Sequence, residues 1–253
     1  MTTKPQQVRG GGNAAPPVRS RAHNRLWFLD FYGSAIGKKA VMAITGIYLL
    51  GFVLLHMIGN IKLYEGPDTM DRYATWLRHI GSPFLPTSGF LDIVRAGLVI
   101  AFVFHIHAAV TLTRMNVQSG GSKPNRYAGG RTYLAADYAA RTMRWSGIIV
   151  GAFVLFHLFD LTWGQANPDF VRGAAYYNVV HSMQRWPIAT IYIVANLLLG
   201  IHIFHGAWSL FQSLGWNPNR FVQWRRWFAV IFAFVIVAGN VSFPIAVLTR
   251  VVS

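Results

Sequence analysis

Cysteine is absent from all 253 residues. The chain therefore offers no disulfide framework, no thiolate catalyst and no cluster ligated by its own thiols, although this says nothing of redox compartment. Negative charge is nearly as scarce. Eight acidic residues face 23 lysines and arginines, and charged residues make up 12% of the sequence, against about 25% in soluble domains. A net charge of +15 would suit a nucleic-acid binder. The basic residues sit between long apolar runs instead of forming one face, which excludes that class. No dinucleotide-binding glycine fingerprint is present. The opening MTTKPQQVRGGGNAAPPVRSRAHNR has no apolar stretch, so residues 1–32 read as a flexible basic tail and not as a secretory leader.

What the sequence has in quantity is hydrocarbon: 53% of it is hydrophobic. Five runs, 40–58, 93–112, 145–161, 187–211 and 227–248, reach or approach the ~20 residues a helix needs to cross a bilayer. The third is short, but Trp145 and Trp163 bracket it as interfacial anchors do. The expectation is an all-α membrane domain over residues 33–253 with five transmembrane helices and no internal repeat. Loops 60–91 and 162–186 are long enough for short surface helices, one of them in DTMDRYATWLRHIG. With the N-terminus inside, 16 lysines and arginines fall on the inner segments and 7 on the outer ones. That asymmetry predicts a cytoplasmic N-terminus and an outward C-terminus.

Orientation gives the histidines depths. His56, His105, His157 and His202 fall one per span on the first four spans. At 1.5 Å per residue, His56 and His157 lie roughly 5–9 Å from the outer ends of their helices, and His105 and His202 lie roughly 20 Å below the outer surface. The four sort into two pairs at two levels. A single intramembrane histidine is often a hydrogen-bonded packing residue. Four at matched depths suit two stacked metal centres, each taking one axial nitrogen from each of two helices, as a bis-imidazole haem does. His107, two residues beyond His105, points some 200° around the helix and cannot serve the same iron. His205 lies on a face similar to that of His202, about one turn nearer the cytoplasm. It reads as a propionate partner, a quinone contact or a core residue. His23, His79 and His181 lie outside the spans and read as surface histidines.

The segments SAIGKKAVMAITGIYLLGFVLLHMIGN, FHIHAAVTLTRMN, RWSGIIVGAFVLFHLFD and HIFHGAWSLFQSLGW together resemble the membrane anchor of bacterial succinate dehydrogenases and fumarate reductases. More narrowly, they resemble its single-chain, five-helix cytochrome b558 type, over about residues 33–250. The resemblance implies a multi-pass protein of the bacterial plasma membrane. It also implies two b haems, with axial pairs His56/His157 and His105/His202, a membrane quinone as substrate, and flavoprotein and iron–sulfur subunits docked on the cytoplasmic face. Succinate would be oxidised in a partner subunit. His107 and His205 depart from the family, where many members have Ala, Tyr or Asn. They leave open a Rieske-type [2Fe–2S] cluster whose cysteines come from a partner.

Quinone chemistry needs an apolar slot beside proton-donating groups. Related anchors with an outer quinone site use a carboxylate near the distal haem, and Glu65, with Tyr64 beside it, is the nearest acid after His56. A loop carboxylate is the plain alternative. An inner site would draw on Ser34, Lys38, His107 and His205, although the GKK at 37–39 reads more readily as a headgroup or docking patch. Two other classes share some of these features. A stand-alone di-haem cytochrome b reductase would have the same histidine pairs, and a transporter would need polar or broken helices near the midplane.

Overall fold

The structure is a computed structural model that describes residues 26–118, 134–216 and 218–253, with backbone alone for residues 134–141 and 219. The first 25 residues of the expected tail, His23 among them, and residues 119–133 and 217 lie outside the described residues. Everything regular among the described residues is helical. Helices α1 (Trp27–Gly33), α2 (Ala35–Asn60), α3 (Pro67–His79), α4 (Gly89–Gln118), α5 (Leu134–His157), α6 (Ala175–Gln184), α7 (Trp186–Ser213) and α8 (Val222–Leu248) follow in order. A 3-10 turn (Ile61–Glu65) extends α2, and a π-helical turn (Leu158–Thr162) extends α5. Five of these, α2, α4, α5 with its π turn, α7 and α8, are long and apolar enough to cross a membrane. The two expected surface helices are α3 and α6.

The end of the bundle at which α2 begins is termed the inner end below. Exposed tryptophans mark both ends: Trp27, Trp145, Trp216, Trp224 and Trp227 at the inner, Trp76, Trp163 and Trp186 at the outer. Indole rings favour the two membrane–water boundaries, so their levels set the thickness of the embedded slab.

Helix α1 begins at Trp27, inside the stretch read from the sequence as tail. A tight corner follows it. Ser34 caps α2 by accepting a hydrogen bond from the Gly37 amide at 2.9 Å. Lys38 turns back to donate to the Tyr32 and Gly33 carbonyls at 2.8 and 3.2 Å, which helix termination had left without partners. Gly37 is required here, because a Cβ would collide with the Phe31 carbonyl.

The spans associate as two pairs, α2 with α4 and α5 with α7, while α8 packs on α7 and reaches α2. Small residues permit the closest approaches, as they do wherever lipid supplies no hydrophobic drive between helices. A Cβ at Gly200 would strike Val237, and one at Gly239 would strike Met57. Across the pairs the packing is uneven. Helices α2 and α7 touch, whereas α2 with α5, and α4 with α7, make at most marginal contact. Those two loosely packed combinations are the ones that carry facing histidines.

Candidate functional site

The rings of His56 on α2 and His157 on α5 face each other with centroids 5.8 Å apart. Those of His105 on α4 and His202 on α7 are 6.4 Å apart. Two imidazoles bound to one metal atom from opposite sides, each nitrogen about 2 Å from it, hold their centroids roughly 6 Å apart. Both distances match that requirement, and each pair bridges two helices that barely pack on one another. The donor set and its spacing therefore fit a bis-histidine haem at each level.

Ring orientation is fixed from behind. His105 Nδ1 lies 3.2 Å from the Thr45 hydroxyl, whose own hydrogen goes to the Val41 carbonyl at 2.7 Å. Thr45 Oγ1 thus accepts from the imidazole. In the same way His202 Nδ1 lies 3.3 Å from the Ser146 hydroxyl, which donates to the Met143 carbonyl. His157 Nδ1 sits 3.3 Å from the Tyr192 hydroxyl, and that hydroxyl donates to Asp160 Oδ2 at 2.9 Å. In all three the proton belongs on Nδ1, which leaves the Nε2 lone pair for a metal, the usual division of labour in a ligating histidine. His56 is held differently. Phe52, one turn earlier on α2, stacks on it at 5.4 Å with 12° between planes.

Behind His157 lies a polar network. Asp160 is fully buried on the π turn. It pairs with Arg185 at 2.8 Å and accepts a short hydrogen bond from Ser182 as well as the one from Tyr192. A carboxylate at this depth is tolerable only when paired and hydrogen-bonded throughout. The π turn aims it toward α6 and α7, and such turns recur at functional sites.

The inner pair shows a regularity. Thr45-Gly46 on α2 and Ser146-Gly147 on α5 each precede a histidine, His56 and His157, by the same spacing of 11 residues counted from the hydroxyl residue. Eleven residues make about three helical turns, so hydroxyl and histidine share one face roughly 16 Å apart. Each glycine lies against the inner histidine of the neighbouring helix. A Cβ at Gly46 would be 3.6 Å from His105 Cε1, and one at Gly147 would be 3.3 Å from His202 Cε1. Helices α2 and α5 thus play the same double part: each orients an inner histidine and supplies an outer one.

The remaining sequence candidates fall in several places. His107 accepts or donates at Nδ1 with the Tyr32 hydroxyl, and the two rings stack at 5.7 Å. Burial pushes the Tyr32 phenol above its ordinary range, so at neutral pH it remains a proton-bearing group. The Lys38 ammonium stands 4.9 Å over the same ring, a cation–π distance. Lys38 is buried, which corrects the reading of GKK as a headgroup patch, because only Lys39 is exposed. Tyr32, Lys38 and His107 therefore converge, with Ser34 next to them on the chain. His205 lies apart, its Nε2 at 3.3 Å from the Thr142 hydroxyl. At the outer end Glu65 is tied to Lys62 at 2.7 Å, and Tyr64 donates to the Ser242 hydroxyl at 2.7 Å. The surface histidines His79 and His181 each bond a backbone carbonyl one turn back. Among the described residues no three metal-capable side chains cluster; the histidines work in twos.

Sequence reasoning missed Tyr32, Tyr192, Arg185, Ser182 and the two hydroxyl–glycine dipeptides. An acid inside a span was the available signal for the Asp160 network, and the common spacing of 11 was the signal for the dipeptides.

Fold and site together define a multi-pass, all-helical membrane protein with two pairs of facing histidines stacked between its spans. Residues 138–241 match the succinate dehydrogenase/fumarate reductase transmembrane subunit. The match takes in His157, His202 and His205 and ends within α8. No curated protein and no solved structure matches the chain.

Proposed function

We propose that this chain is the membrane anchor of a bacterial succinate:quinone oxidoreductase and carries electrons between a docked iron–sulfur subunit and membrane quinone. The observation that carries the reading is the pair of His–His spacings, 5.8 and 6.4 Å, with three of the four rings oriented through Nδ1. His56 and His157 hold one b haem toward the outer end, and His105 and His202 hold a second toward the inner end. Haem bound there supplies reversible one-electron Fe(III)/Fe(II) chemistry. The protein's own contribution is orientation. Thr45 and Ser146 fix the inner rings, Phe52 and the Tyr192–Asp160 network fix the outer ones, and apolar spans exclude water. Flavoprotein and iron–sulfur subunits dock at the inner, cytoplasmic end, where the positive-inside count places the N-terminus. Succinate is oxidised, or fumarate reduced, in those partners.

Quinone reduction consumes two electrons and two protons. Tyr32, His107 and Lys38 support an inner quinone site, since a phenol bonded to an imidazole beside an ammonium offers the proton donors such a site needs. The outer candidates Glu65 and Tyr64 are each engaged by a neighbouring side chain instead.

The test is spectroscopic. In the purified complex, His56→Ala or His157→Ala removes one reduced-minus-oxidised haem signal, and His105→Ala or His202→Ala removes a second, distinct one. Two signals unaffected by all four substitutions overturn the assignment. Tyr32→Phe lowers quinone reduction while succinate oxidation with a soluble artificial acceptor persists; equal loss of both activities refutes the inner quinone site.

A further inference from the structure

The outer end contains a built site that the redox reading does not use. Three of the seven outer cations, Arg78 at the end of α3, Arg95 on the second turn of α4 and Arg172 ahead of α6, line a single cleft of about 260 Å³. Its remaining wall is partly apolar, from Leu161 and Phe170. Gathering like charges costs free energy unless an anion neutralises them, and membrane proteins carry few cations on the outer side to begin with.

One guanidinium is paired, and the backbone beside another is clamped. Asp92 pairs with Arg95 at 2.8 Å. The segment bearing Arg172 is clamped by Asn178, a buried side chain that accepts from the Val171 amide at 2.8 Å and donates to the Val171 carbonyl at 2.7 Å. Gly173 takes a left-handed φ of 94°, and its missing side chain leaves room beside Arg78, whose nearest guanidinium nitrogen lies 4.0 Å from where a Cβ would be. Among the described residues neither Arg78 nor Arg172 has an acidic partner, so one carboxylate offsets three cations.

Level and surroundings identify the anion. Thr162, on the cleft wall, adjoins Trp163, which is half exposed at the outer aromatic belt. The cleft therefore sits at headgroup height. Toward the midplane from Arg95, α4 exposes Val99 and Val103, while Leu155 near the end of α5 and Phe159 on its π turn are exposed too. A forked cationic pocket above two apolar tracks matches a phosphate with acyl chains attached. We infer that Arg78, Arg95 and Arg172 form a binding site for the phosphate of an anionic phospholipid of the outer leaflet.

The test uses the whole purified complex, delipidated in mild detergent. Phosphatidylglycerol and phosphatidylcholine with the same chains are titrated separately, and bound lipid is counted by native mass spectrometry. Wild type should retain phosphatidylglycerol in preference to phosphatidylcholine. The double variant Arg78→Gln/Arg172→Gln should lose about thirty-fold in phosphatidylglycerol affinity, roughly fivefold for each cation removed. Arg78→Lys/Arg172→Lys keeps the charge without the fork and should fall between the two. Equal retention of both lipids by wild type overturns the proposal and needs no variant to fold. Unchanged phosphatidylglycerol binding in the Gln variant also overturns it. Displacement of the lipid by millimolar inorganic phosphate would assign the cleft to a free anion. If the variant keeps the lipid but loses the outer haem signal, the arginines serve a haem propionate instead.

Discussion

Replacing Tyr192 by Phe removes one oxygen from the protein and isolates His157 from Asp160. The ring volume is kept, so packing against Phe153 and Phe156 survives. Two hydrogen bonds are lost. The one to the Asp160 carboxylate contributes about 1.5–3 kcal/mol, and a buried Nδ1–H left without an acceptor costs about 1–3 kcal/mol. With haem bound, an acceptor behind a ligating imidazole raises its basicity, and its removal costs about 10–100-fold in metal affinity. The ferric state carries the greater charge and loses the greater share of that stabilisation. A loss of about 10–100-fold confined to the ferric state corresponds to a rise of about 60–120 mV in the midpoint potential. The assay is a potentiometric titration of the purified complex followed by haem absorbance, with both centres read in one sample. The outer potential should rise while the inner, roughly 11–15 Å away along the helix axis, stays put. An unmoved outer potential, or equal shifts at both centres, would refute the coupling of Tyr192 to His157.

Three more expectations follow from the same geometry. Gly147→Ala should perturb the inner haem spectrum more than Gly46→Ala, because its Cβ would come to 3.3 Å from the facing imidazole carbon instead of 3.6 Å; the reverse order would place the tighter helix contact on α2. Asp160→Ala strands the partly buried Arg185, and breaking a buried pair this way costs about 3–5 kcal/mol, less the share recovered through the exposed part of Arg185. It should show as a clear fall in the thermal midpoint of the detergent-solubilised complex, and an unchanged midpoint would mean that the network contributes nothing to folding. His205→Asn should leave quinone reduction close to wild type, since the one hydrogen bond of His205 among the described residues is with the Thr142 hydroxyl. A selective loss of quinone reduction would instead bring His205 into the quinone site.

The levels of the four histidines were legible in the sequence because helical rise is a constant: once spans and direction are assigned, counting residues yields depth. The same counting matched His56 with His157 and His105 with His202. Lateral relations were not legible. Tyr192 lies 32 residues from Asp160, and Arg185 lies 25 away; only the packing of α5, α6 and α7 brings them together. Lys38 misled for a related reason. A run of two lysines at a helix start looks solvated, yet the corner between α1 and α2 turned one of them inward to satisfy backbone carbonyls. The boundary at Trp27 was missed because WFLDFYG is too short for its periodicity to stand out from the tail.

The doubled part played by α2 and α5 bears on how this sequence can vary. Side chains between Thr45 and His56, or between Ser146 and His157, face lipid or neighbouring helices, where many apolar residues serve equally well. Their number has no such freedom. Deleting one residue turns everything beyond it by about 100°, so the outer imidazole would swing out of its pair while the inner support stayed in place. A deletion within either helix therefore breaks a pair, and there the count of residues is a stricter requirement than their identity.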